Sequence, residues 1–200
     1  MRAVPLFLGV LTLAIVWLAP QPEWIRHSFS AHMTIHMTVV AISAPLLALG
    51  LTGSAWDPAR RAPRLFSPLP ASLVELAVVW IWHTPALSQA AHHDNAALFA
   101  EQTMFLGAGL LLWFSALGER TGAGIIALLL TVMHMTLLGA LIALSPRLLY
   151  EHFGGLAKLS PLDDQHLGGA IMLVVGGLSY LAGGLWLAAD LLRAKHCEAI

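Results

Sequence analysis

The sequence predicts an all-α fold, a polytopic bundle of about six transmembrane helices forming one domain over residues 1–200. Three observations predict it. Hydrophobic residues make up 58% of the chain and charged residues only 10%, against about 25% charged in soluble domains. Apolar stretches close to the ~20 residues that a spanning helix needs recur along the chain. Lys and Arg are divided unevenly between the segments that join those stretches.

The stretches run over about 4–19, 32–51, 69–88, 97–117, 122–144 and 167–187. The first is the shortest and could be read as a signal peptide. Trp17-Leu18-Ala19-Pro20 is a poor small-x-small cleavage site, so it is read as a span. Segment 52–68 is rich in Pro and Arg and reads as a connector with no fold of its own. Trp17, Trp24, Trp56, Trp80, Trp82, Trp113 and Trp186 lie mostly towards span ends, as an aromatic belt does. With the N-terminus inside, the inner segments hold Arg2, Arg60, Arg61, Arg64, Arg120, Arg193 and Lys195. The outer segments hold Arg26, Arg147 and Lys158, and seven against three satisfies the positive-inside rule. Both termini are then cytoplasmic.

On this threading His27, His32, His83, His92, His93, His152 and His166 sit at the outer face. His36 lies about one turn deeper and His134 near the middle of the fifth span, while His196 alone is inside. A histidine in hydrocarbon is costly unless it is paired, ligated or wetted, so the asymmetry suggests a site. The net charge of −1 gives no basis for nucleic-acid binding. Cys197 is the one cysteine, so thiolate sites and disulfides are unsupported, and soft-metal chemistry would have to use His and Met.

The second span opens with AHMTIHMTVV. His32 and His36 are spaced i and i+4, which places them on one helix face with Cβ atoms about 6 Å apart. Met33 and Met37 repeat that spacing on the adjacent face. The histidine pair can chelate one ion, and thioether neighbours would favour Cu(I). Interfacial histidines and core methionines are the plainer alternative. The third span ends in VWIWHTPAL, where Pro85 frees carbonyls in the preceding turn and His83 is a third candidate ligand or an interfacial turn residue. His92-His93 read mainly as solvated loop residues, with transient metal capture as the lesser alternative. Glu101, early in the fourth span, suits either orientation of a ligand imidazole or the start of a helix dipole. His134, between Met133 and Met135 in VMHMTLLGA, is the deepest polar residue on this reading and is expected to face the bundle interior. In SPLDDQHLGGAIM, Ser160-Pro161 with Asp163 and Asp164 leads into a helix, and His166 adds a possible ligand. The pairs Gly168-Gly169, Gly176-Gly177 and Gly183-Gly184 form a close-packing stripe.

Four segments in this order, HMTIHMTVVAISAPLLALG, VWIWHTPAL, FAEQTMFLGAGLLLWF and SPLDDQHLGGAIM, resemble the polytopic CtaG-like cytochrome c oxidase assembly factors. The resemblance covers most of the chain from Ala31 to Leu187. It implies a role in assembling a copper-containing oxidase through copper handling at the outer face of a bacterial plasma (inner) membrane. On it, His32 and His36 match the family's paired histidines, His83 its Trp-His motif, and Asp164-Gln165 its Asp-Gln pair. The chain departs from the family in two places. Gln102 stands where a histidine often follows the glutamate of the fourth span, and six spans are found where seven are common.

The expected protein is thus a copper-binding assembly factor and not an enzyme. Its partners are oxidase subunits and membrane lipid, with a homodimer possible. His32, His36, His83 and His134 are the expected primary ligands, for Cu(I) given the thioethers, with Met37, Met33 and His166 auxiliary. Asp164 and Glu101 would orient ligands or meet a partner. Three alternatives stand beside this. They are a haem-binding electron carrier, with His36 facing His134 or His83, a metal-free scaffold for oxidase subunits, and, with least support, a metal permease.

Overall fold

The computed structural model describes residues 2–18, 26–118, 122–151, 153–154 and 159–198, with side chains up to residue 194. Trp24, Arg120, His152 and Lys158 lie outside the described residues, as do the side chains of Lys195, His196 and Cys197. All regular structure among the described residues is helical. In chain order the helices are α1 (Ala3–Leu18), α2 (Phe29–Leu51), α3 (Pro58–Arg61), α4 (Pro68–Trp82), α5 (Pro85–His93), α6 (Asn95–Gly118), α7 (Gly122–Ala143) and α8, which begins at Pro161 and ends with Gly177–Glu198. Four of these, α2, α6, α7 and α8, are long and apolar enough to cross a membrane. The apolar helices α1 and α4 are shorter, with 16 and 15 residues. Together the six form the predicted bundle.

Three boundaries differ from expectation for local reasons. The third span stops at Trp82 rather than running to 88. Proline disfavours the helical conformation in the residue before it, and Thr84 is extended (φ −67°, ψ 139°) ahead of Pro85, leaving His83 as the C-cap. The chain then restarts as α5, so His92 and His93 close a helix instead of lying in a loop. The second and sixth spans begin early because Ser28 and Ser160 cap them. Ser28 Oγ accepts from Ala31 N at 3.1 Å and Ser160 Oγ from Asp163 N at 3.2 Å, each satisfying a free amide of a first turn.

Helix α2 is the hub. Pro45 has no N–H to offer the preceding turn, and α2 answers with a π-helical segment, Thr38–Ser43. The carbonyls of Val40 and Ala41 that the proline leaves unserved are bonded from α8. Tyr180 OH donates to the first at 3.4 Å and Ser179 Oγ to the second at 2.5 Å. In hydrocarbon no water can substitute for such donors. Helix α1 lies along the other flank, where a Cβ at Gly50 would fall 2.6 Å from that of Leu6.

The glycine stripe of α8 is a packing surface, as expected. Gly168 meets the Phe29 ring, Gly169 the backbone of Ala143, Gly176 the side chains of Met37 and Met135, and Gly183 the ring of Trp113. The start of α8 is also polar. Asp164 is fully buried and its carboxylate accepts from Phe29 N at 2.6 Å, Ser28 Oγ at 3.1 Å, Ser30 N at 3.4 Å and Ser30 Oγ. These donors belong to the first turn of α2. Gln165 accepts from Leu149 N at 2.6 Å and donates to Arg147 O at 3.3 Å, which fixes the loop after α7. Tyr150 in that loop stacks on Phe29 at 4.4 Å and donates to the His83 carbonyl at 2.8 Å.

Asp164→Ala is expected to destabilise the protein by about 2–3 kcal/mol, since it strands charge-assisted donors in a dry site. Thermal unfolding in detergent measures this, and an unchanged midpoint would refute the anchoring role. Ser179→Ala is expected to cost about 1 kcal/mol by leaving the Ala41 carbonyl unpaired.

Candidate metal centre

Three side chains from two helices converge near the end of the bundle at which α2 and α6 begin. His32 and His36 project from successive turns of α2, and their Nε2 atoms are 2.7 Å apart. Glu101, in the second turn of α6, places Oε1 3.7 Å from His32 Nε2 and 3.5 Å from His36 Nε2. Among the described residues, this is the group of three His or carboxylate side chains whose ligand atoms lie close enough to share an ion. The point equidistant from these three atoms lies about 1.9 Å from each, against metal–nitrogen and metal–oxygen bonds of ~2.0 Å. His36 and Glu101 are buried to 1% exposure, whereas His32 retains 12% of its side-chain surface. The site is therefore dry on its inner side and open on its outer side.

The surroundings leave ligand atoms without partners. His83 donates from Nδ1 to the Val79 carbonyl at 2.7 Å, which fixes the tautomer and leaves the lone pair on Nε2. That Nε2 is buried and has no partner among the described residues. The His83 ring centroid is 6.1 Å from that of His36, so this imidazole stands beside the converging group without joining it. Glu101 Oε2 and Gln102 Oε1 are likewise buried and unpartnered.

Gln102 is the functional neighbour that sequence reasoning missed. Its side-chain nitrogen sits 3.1 Å from His36 Nδ1. The two ends of a carboxamide have the same shape. With Oε1 turned to Nδ1, Gln102 accepts the His36 Nδ1–H, and the lone pair of His36 moves to Nε2, facing the centre. Histidine ligands characteristically hold their second nitrogen in this way. The signal was its position beside Glu101, which had been read only as a lost histidine.

The remaining predicted residues lie elsewhere. Met33 and Met37 pack onto α8, where Met33 Cγ lies 3.1 Å from a Cβ placed on Gly168 and Met37 Sδ 3.7 Å from one placed on Gly176. His166 bonds the Ser145 carbonyl at 2.9 Å. Asp164 serves the first turn of α2. His134 lines an apolar groove of about 740 Å³ between α4 and α7, and neither ring nitrogen has a partner among the described residues.

Glu75 is a further polar group of the bundle interior. On α4, it is fully buried and accepts from Thr131 at 3.3 Å and from the Tyr180 hydroxyl. Thr131 precedes His134 by nearly one turn of α7. The lone acid in ASLVELAVVWIW was the available sign.

No curated protein and no solved structure matches the chain. The sequence matches the cytochrome c oxidase caa3 assembly factor (Caa3_CtaG) family over residues 1–194, nearly its whole length, and the protein belongs to that family of assembly factors.

Proposed function

We propose that the protein carries a copper ion, as cargo, on the outer side of a bacterial plasma membrane and passes it to a copper-bearing subunit of the oxidase. The observation that carries this is the convergence of His32, His36 and Glu101 on a point at bonding distance from all three. Membership of an oxidase assembly family supplies the destination. The excess of Lys and Arg in the opposite segments supports cytoplasmic termini and an outward-facing site.

The donor set suits a carrier. Two imidazoles and one carboxylate leave a four-coordinate ion with an open position, through which a ligand from an incoming protein can attack. His83, with its aprotic Nε2, stands beside that position as a fixed neighbour, its carbonyl held by Tyr150 and its ring by Val79. Copper stays in one oxidation state during such an exchange, and the chain makes and breaks only metal–ligand bonds. The thioethers of Met33 and Met37 line the seam with α8, so Cu(I) preference rests on the imidazoles and on His83. Imidazole and carboxylate also suit zinc, which makes competition between the two metals part of the test.

Detergent-purified protein is expected to hold about one copper per chain and to release it to a Cu(I) chelator. His32→Ala/His36→Ala should abolish this binding. Copper retained at full affinity in that variant would sink the assignment. A chain that binds no metal would leave the scaffold reading, and a Soret band would favour haem. Gln102→Ala should weaken copper affinity about 10–100-fold, with little effect on thermal stability because only one neutral hydrogen bond is lost.

A further inference from the structure

A second group of imidazoles stands outside the buried one. His27, in the turn before α2, and His92, in the last turn of α5, have ring centroids 6.1 Å apart, and His93 lies 5.0 Å from His92. With metal–nitrogen bonds of about 2.0 Å, two imidazoles on one ion hold their centroids roughly 5–6 Å apart. Both spacings fall near that range. His27 and His93 are exposed and His92 is half-buried, so small rotations bring the nitrogens into line.

One histidine of each group lines a common cavity. Its space of about 470 Å³ is bounded by His92, Arg26 and Asn95 and by His32 and Gln102. Phe153 bridges the two histidines, with its ring 4.8 Å from His92 and 5.4 Å from His32. Gly154 N donates to the His27 carbonyl at 3.0 Å and ties the Phe153 segment to the outer group.

We propose that His27 and His92 form a separate, weaker metal site that receives the ion first and hands it through this cavity to His32, His36 and Glu101. This rests on the carrier reading of the buried site. In the transfer, the bond to His92 breaks as the bond to His32 forms, and the ion keeps its charge. One Nε2 of the 2.7 Å His32–His36 pair carries the proton that the two share, and that proton shifts through solvent to a ring Nδ1 as the ion binds, so the chain keeps its charge. Arg26 lines the cavity with His92 and, being cationic, repels a divalent ion more strongly than a univalent one.

The test uses full-length protein in detergent, with Cu(I) supplied as its bicinchoninate complex. The unaltered chain is expected to bind one copper tightly and a second weakly. His27→Gln/His92→Gln, which keeps side-chain size and polarity at the surface, should retain the tight site and lose the weak one. Its tight site should also load at least about tenfold more slowly, because the high local concentration of captured metal is lost. His32→Ala/His36→Ala should retain only the weak site. An outer variant that loads at the unaltered rate, or keeps the weak site, overturns the proposal. An inner variant that keeps the tight site overturns the buried-site reading instead, so the two failures are told apart. Matching thermal midpoints for the unaltered chain and the outer variant exclude a folding effect.

Discussion

Among the described residues the carboxylate of Asp164 has no countercharge, yet it is fully buried at the end of the bundle where α2 begins. It is held there by four donors from Ser28, Phe29 and Ser30. A helix begins with free amides, and in a dry environment those amides must find acceptors. One side chain of α8 thereby satisfies the first turn of α2 and fixes the axial position of one helix against the other. Everything downstream inherits that register. His32 and His36 lie one and two turns along α2 from the clamped residues, so their height in the membrane is set by Asp164. The next residue, Gln165, holds the loop that carries Tyr150, and Tyr150 holds the carbonyl of His83. Two adjacent side chains at the start of α8 thus place three imidazoles of other helices.

A second constraint acts deeper. Pro45 would leave two carbonyls of α2 bare, and the π-helical turn turns them towards Ser179 and Tyr180. Tyr180 also donates to Glu75, which Thr131 supports. This couples α2, α4, α7 and α8 through polar contacts in the apolar interior, where such groups have no solvent to fall back on. The outer site is therefore built on a frame pinned at two depths, and its histidines face a fixed partner helix, α6, rather than a mobile loop.

Much of this was legible in the sequence. Six apolar stretches gave the bundle, and Ser160-Pro161 gave the capped start of α8. The i, i+4 spacing of His32 and His36 gave a shared helix face. The identity of the family followed from four ordered segments, and its match over residues 1–194 agrees. The remainder was illegible because it depends on how helices are rotated about their axes. Periodicity places Met33 and Met37 beside the histidines but does not say that they turn to α8 while His36 turns to α6. The role of Gln102 needs the α2–α6 interface, because only there does a carboxamide meet Nδ1. Glu75 looked like an isolated acid since its partners lie 56 and 105 residues away in the chain. The break after Trp82 was visible in Thr84-Pro85, but hydropathy continues across it, and length alone favoured one long span.

Burial by itself separates none of these polar groups, for Asp164, Gln165, Glu75, His36 and Glu101 are all within 1% of complete burial. Satisfaction does separate them. The polar atoms of Asp164 and Gln165 all have donors or acceptors, and both oxygens of Glu75 are bonded. Such groups have nothing left to offer a ligand, and their free energy lies in fixing helices. Around His36 the position is reversed. Glu101 Oε2, Gln102 Oε1 and His83 Nε2 are buried and unbonded within one neighbourhood. An unmade bond in a dry site costs about 1–3 kcal/mol. Glu101 Oε2 and His83 Nε2 therefore still have bonds to offer a ligand, whereas Gln102 Oε1 is used once it turns to His36 Nδ1.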